Sequence, residues 1–100
     1  MEARVYVKST RRGREFVVAA CDAELLGRTL KGGRVPFKVN EAFYKGVLME
    51  VEEALEIIKM GTIVNLVGKR VVEAAVRVGL VHPEAVLYLG EVPHAQIVHL

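Results

Sequence analysis

The stretch from Gly61 to Leu80 constrains this chain more than any other. Read at helical period, its polar residues fall on one narrow stripe, Thr62, Asn65, Lys69, Glu73 and Arg77, and nearly every other position is apolar. A helix that is apolar almost all round is buried almost all round. The expectation is therefore a core helix against which the rest packs, capped by Thr62 at its start and by Gly79 at its end. Gly68 interrupts it, at about 1 kcal/mol against alanine. Either a neighbour packs closely there, or a short helix ends and a longer one begins. Lys69, Arg70, Glu73 and Arg77 rule out a membrane span, which needs about 20 predominantly apolar residues.

The flanking segments read as strands and short helices. Arg4 to Lys8 alternates polar and apolar, Ser9 to Arg14 is a turn with Gly13 at its tip, and Glu15 to Cys21 is an apolar run of strand length, so a hairpin is expected. Asp22 caps a short helix over Glu24 to Leu30, stopped by Gly32 and Gly33. Val35 to Val39 is a third strand, at an edge because Pro36 cannot donate to a ladder. Asn40 to Gly46 is a loop with Phe43 and Tyr44, and Val47 to Met49 a brief strand. Glu50 to Met60 is an amphipathic helix with Val51, Ala54, Leu55 and Ile58 on its inner face. His82 to Glu84 turns the chain, and Ala85 to Leu89 and Ala95 to Leu100 are two last strands around a turn at Gly90 to Pro93. Strands early and late, with helices grouped between, argue an α+β fold. The expectation is one domain over residues 1–100, a two-layer sandwich whose mixed sheet of about 4–5 strands carries helices mainly on one face.

One cysteine, Cys21, leaves no intramolecular disulfide and fits a reducing cytosol, and the first residues lack the pattern of a signal peptide, so a cytoplasmic protein is expected. Asn40, Asn65 and Gln96 are the only side-chain amides, a scarcity that points to a thermophilic source. The net charge of +2 is unevenly spread: residues 1–49 hold ten basic side chains against five acidic, residues 50–100 four against seven. A basic half can meet a polyanion, although two ordinary solvated faces of one domain give the same asymmetry.

Chemistry-bearing motifs are sparse. Gly61 and Gly68-Lys69 do not form a phosphate loop, since six residues separate the glycines and Arg70 stands where Ser or Thr must follow the lysine. Cys21 precedes an expected helix N-terminus, a position that lowers a thiol pKa and makes a nucleophile candidate; a small buried apolar residue is the commoner role. His94 and His99 are an odd number of residues apart on one strand, hence on opposite faces, and no metal site or cofactor is expected. His94, beside Pro93, is the functional candidate among the histidines, and a turn histidine bonding backbone is its plainer reading. The densest basic cluster is the hairpin tip, Lys8 with Arg11, Arg12 and Arg14, which Arg28, Lys31, Arg34 and Lys38 extend if the third strand lies beside the hairpin. Aromatics to stack on are scarce, with Tyr6 alternating out beside the patch and Phe43 and Tyr44 in a loop, so backbone or structured RNA is expected ahead of splayed bases.

The segments Val17 to Gly27 (VVAACDAELLG), Thr62 to Val72 (TIVNLVGKRVV) and Val92 to Val98 (VPHAQIV), in this order and spacing, resemble a small archaeal family known only as domain-of-unknown-function family 424. The resemblance spans nearly the whole chain. It implies an archaeal, cytoplasmic, stand-alone α/β domain, and it brings no activity, ligand or catalytic residue. Its segments contain Cys21, Asp22, Asn65, Gly68, Pro93, His94 and Gln96, the first candidates for a shared site.

Three functions are weighed. The leading one is a non-enzymatic protein that binds RNA or a ribonucleoprotein such as the ribosome, as an accessory of translation; the lack of a catalytic signature weighs against an enzyme. The second is an enzyme or small-ligand binder with a pocket near Cys21, Asn65 and His94. The third is an interaction module or homodimer that pairs through an edge strand at Ala95 to Leu100.

Overall fold

An alternating strand and an apolar run, joined at Gly13, make the first hairpin. The computed structural model describes residues 4–99. In it β1 (Arg4–Arg12) pairs antiparallel with β2 (Glu15–Asp22), in register from Val5 opposite Asp22 to Arg12 opposite Glu15. The ladder runs to Arg12, so the turn is shorter than the expected Ser9 to Arg14. Gly13 takes φ +59°, the left-handed conformation a tight turn needs. A single 3-10 turn, Ala23–Leu25, leads to β3 (Thr29–Leu30) and β4 (Phe37–Lys38), which form a small ribbon of their own. Then come α1 (Glu41–Tyr44), β5 (Val47–Glu50), α2 (Val51–Ile58), β6 (Ile63–Val67), α3 (Lys69–Arg77), a 3-10 turn Pro83–Ala85, β7 (Leu87–Leu89) and β8 (Val92–Val98).

The fold is α+β with a mixed sheet, and the sheet has six strands rather than 4–5, in the order β5-β1-β2-β6-β8-β7. All its pairings are antiparallel except β2 with β6. One strand, β6, comes from the stretch read as one helix. Ile63-Val-Asn-Leu-Val67 is rich in β-branched residues, and as a strand it lies between β2 and β8 with Val64, Leu66 and Val67 fully buried. Val64 and Leu66 face the helices, and on the opposite face Ile63 and Val67 are apolar as well, so Asn65 alone breaks the run and its apolar positions also fit a helix. Gly68, at φ +121°, ends the strand, and α3 begins at Lys69. Thr62 caps no helix; its hydroxyl accepts from Phe16 N–H at 2.8 Å and donates to Glu15 Oε1 at 2.6 Å.

Alternation assigns the two faces of the sheet. One carries Val5, Val7, Val18, Ala20, Val64, Leu66 and Ala95, packed under Val51, Ala54, Leu55 and Ile58 of α2 and Val71, Val72, Ala74 and Ala75 of α3. The α2 face is the one expected, and Glu50 with Glu53 form a capping box at its start. The opposite face carries Ala19, Cys21 and Val67, covered by Leu25, Leu30, Val39 and Tyr44 from the 3-10 turn, the ribbon and α1. This second core covers only the half of that face nearest the 3-10 turn.

Asp22 differs most from expectation. Its side chain makes no cap on the turn that follows it. Instead its carboxylate reaches the start of α3, accepting from Arg70 N–H at 2.8 Å and Val71 N–H at 3.0 Å. It is 1% exposed, the one buried charged residue among those described. A Cβ on Gly68 would collide with that carboxylate, so the glycine is the close approach that the sequence raised as a possibility. The helix expected over Glu24 to Leu30 is absent because its cap is engaged elsewhere. Leu26 ends the 3-10 turn, and Leu30 faces the second core from β3.

Candidate nucleic-acid interface

The register of the strands arranges the opposite face into rows. Lys8, Ala19, Asn65 and Gln96 stand side by side across β1, β2, β6 and β8. Thr10, Val17, Ile63 and Val98 form the next row, and Arg12 with Glu15 the last pair. None of these residues belongs to either core cluster, apart from the small Ala19. The face is therefore open from the Lys8 row to the hairpin tip, with one polar row, one mainly apolar row and two cations along one border.

The polar row is ordered. Gln96 Nε2 donates to Asn65 Oδ1 at 2.7 Å, and Lys8 Nζ donates to the Ala42 carbonyl of α1 at 2.6 Å. That bond leaves the Asn65 amide N–H groups and the Gln96 carbonyl oxygen without a partner among the described residues, a donor and an acceptor on one side-chain pair. Beside Lys8, a shallow pocket of about 230 Å³ opens between Lys8, Thr10, Arg12, Val17, Ala19, Ala42 and Phe43. Asn40 caps α1 by accepting from Ala42 N–H, and this short helix brings Phe43 to the pocket wall.

The expected basic patch divides. Lys8 and Arg12 share the open face, and Arg14 sits in the hairpin turn next to them. Arg11 points to the helix-covered face, its guanidinium 5.1 Å from the centre of the Phe16 ring. Arg28, Lys31 and Arg34 do not extend the patch, and neither does Lys38 in β4. The ribbon packs against the far end of the sheet, where Gly32 abuts the backbone of Gly90 in the β7–β8 turn and the Phe37 and His94 rings lie 5.2 Å apart. Of the aromatics, Tyr6 joins the second core, Tyr44 is buried, and Phe43 remains exposed at 42%.

The residues proposed for a catalytic pocket share a face without converging. Cys21, Val67 and His94 form one row, so Val67 stands between the thiol and the imidazole, two strand spacings or roughly 10 Å apart. No helix N-terminus activates the thiol. Cys21 is fully buried, and burial, then the Asp22 and Glu24 charges, push it up to about 12. Burial also lowers His94, disfavouring its charged form. His94 lies within β8 and not in a turn. Asn65 bonds Gln96 and neither of the other two. Asp22, Gly68 and Pro93 serve the α3 junction: the carboxylate caps the helix, the glycine makes room for it, and the Pro93 carbonyl accepts from Gly68 N–H at 2.9 Å. Among the described residues no group of three His, Cys, Asp or Glu could hold a metal ion, and no helix is long and apolar enough to cross a membrane.

A larger groove, of about 590 Å³, runs on the other face between α3 and β7. Lys69 and Arg77 line it together with Glu73 and Glu91, so it presents no charge of one sign. The sequence reading missed it, and it also missed the row Thr10, Val17, Ile63 and Val98. The row was legible in principle, because Thr10 and Val17 are spaced for one face of the hairpin. It became visible only once residues 63–67 were a strand.

The chain was compared with known proteins. The family model described as protein of unknown function, DUF424, matches residues 10–100. Among solved structures, an uncharacterized conserved protein from the archaeon Methanopyrus kandleri is similar, with a TM-score of 0.83 and 30% identity over 98% of this chain and 95% of that one. No curated protein matches.

Proposed function

This chain belongs to the DUF424 family, and we propose that it is a non-enzymatic protein that binds RNA, free or in a ribonucleoprotein, as a cytoplasmic accessory of translation. The open half of the sheet face carries the reading. Lys8 and Arg12 border two uncovered rows of side chains, and the ordered Asn65–Gln96 pair lies among them. Cations fix phosphates, and exposed amides offer hydrogen bonds to base edges. On the same reading the architecture is a two-layer sandwich, with α2 and α3 as the helical layer and the bare half-face as the surface left for a ligand. The test is RNA affinity across a salt series, with Lys8→Ala/Arg12→Ala against the wild type. Loss of two phosphate contacts should flatten the slope of log affinity against log salt by roughly 1–2. Arg11→Ala, on the other face, should leave the slope alone. A wild type that binds no RNA at low salt would refute the reading.

A second reading, a homodimer, has one observation of its own. The Pro93 carbonyl and the His99 N–H both bond toward β6, so odd-numbered residues of β8 aim inward and even-numbered ones outward. β7 covers Val92 and His94. The outward backbone groups of Gln96 and Val98 have no backbone partner among the described residues. β8 is thus an inner strand over Val92 to His94 and an open edge beyond, and Leu100, included in the expected edge, lies outside the described residues. Light scattering that gives a monomer at high concentration would refute self-pairing.

A further inference from the structure

The sequence pointed to phosphate backbone and away from splayed bases, for want of aromatics. The geometry of the pocket beside α1 argues for more, on the premise that RNA is the ligand. Its floor is Val17 and Ala19, two side chains small enough to leave a flat recess between β1 and the centre of the sheet. Its wall is Phe43, held by the buried Tyr44, whose ring is 4.9 Å away and nearly perpendicular. Lys8 fixes its ammonium at the rim through the Ala42 carbonyl and keeps two further N–H donors. Arg12, at the other rim, has no carboxylate partner among the described residues. Its cross-strand neighbour Glu15 accepts instead from the Thr62 hydroxyl at 2.6 Å.

We infer that this pocket takes one unpaired nucleobase of a single-stranded RNA, packed against Phe43, with the adjoining phosphates on Lys8 and Arg12. A flat recess, one fixed aromatic wall and two cations at the rim are the parts that single-strand recognition combines. The next base along the strand comes to rest over Asn65 and Gln96, one strand further in. There the free donor and acceptor meet the donor-and-acceptor edge that an unpaired base presents. A duplex keeps its bases stacked and cannot enter.

The experiment is fluorescence anisotropy at fixed salt with a labelled single-stranded oligoribonucleotide and with its duplex. The single strand should bind more tightly than the duplex. Phe43→Ala should weaken the single strand by roughly five- to a hundredfold, the range for one stacked base, and leave the salt slope unchanged. Phe43 is exposed, so the variant should keep its circular dichroism spectrum. Phe43→Trp gives a second readout in a chain that has no tryptophan: it should retain affinity, and its emission should be quenched by the single strand. If Phe43→Ala binds the single strand as well as the wild type does, or Phe43→Trp emission does not respond to bound RNA, the base pocket is refuted and RNA binding stands. If the wild type binds neither RNA at low salt, both fall.

Discussion

Asp22 shows how one side chain can join distant parts of a chain. It closes β2, yet its hydrogen bonds go to the first turn of α3, 48 and 49 positions away in sequence. A carboxylate there satisfies two backbone N–H groups that otherwise lack partners and meets the positive end of the helix dipole. Asp22→Ala should destabilise the protein by about 3 kcal/mol in urea unfolding, and Asp22→Asn by roughly 1 kcal/mol, since it keeps one acceptor. Burial raises the Asp22 carboxyl above its ordinary 3.8, outweighing the two N–H donors that lower it. Only between pH 3.8 and the folded value does the folded chain hold a proton that the unfolded chain releases. The carboxyl's contribution to stability is fullest below pH 3.8 and is lost as pH rises through the folded value. The wild type should therefore lose ground relative to Asp22→Asn as urea midpoints are followed upward from pH 4. Cys21 gives a second check on burial. With its thiol pushed up to about 12, alkylation at pH 8 should be slow in the native protein and fast in denaturant.

The boundary between β6 and α3 rests on Gly68. Its φ of +121° suits no other residue type, and a Cβ there would strike the Asp22 carboxylate. Gly68→Ala should destabilise by about 2 kcal/mol or more. The helix α2 and the hairpin β1–β2 were legible because each shows its period on a half-exposed surface. In α2 Val51, Ala54, Leu55 and Ile58 turn inward, and in β1 Val5 and Val7 do. β6 was not legible, because Ile63 and Val67 on the opposite face are as apolar as Val64 and Leu66 under the helices, and Asn65 alone leaves too little alternation to read. β3 and β4 are two residues each, too short to carry any period. The α3 cap was invisible because nothing in the order of residues announces a contact across 48 positions. For the same reason the candidate site was half legible: Lys8 and Arg12 show in sequence, whereas Val17, Ile63 and Val98 acquire meaning only from the register of four strands.

At the scale of the molecule, protection should be graded from the centre of the sheet outward. β2 and β6 have strands on both sides, a core under one whole face and a second core over the end at Cys21 and Val67, so their amides should exchange most slowly. β7, with three residues at the edge, and the β3–β4 ribbon should exchange fastest among the strands, as native-state hydrogen exchange would read directly. The charge imbalance also becomes geometric. Lys8 and Arg12 line one border of the open face, and Arg28, Lys31 and Arg34 belong to the segment that reaches the far end of the sheet.

The place of β6 in the sheet sets a timetable for synthesis. It docks on β2, made well before it, but its other side is closed by β8, made only after α3 and β7. A ribosome-bound chain that has emerged as far as Val67 therefore holds a sheet with one apolar edge uncovered. That edge stays open to wrong partners until Val98 has followed.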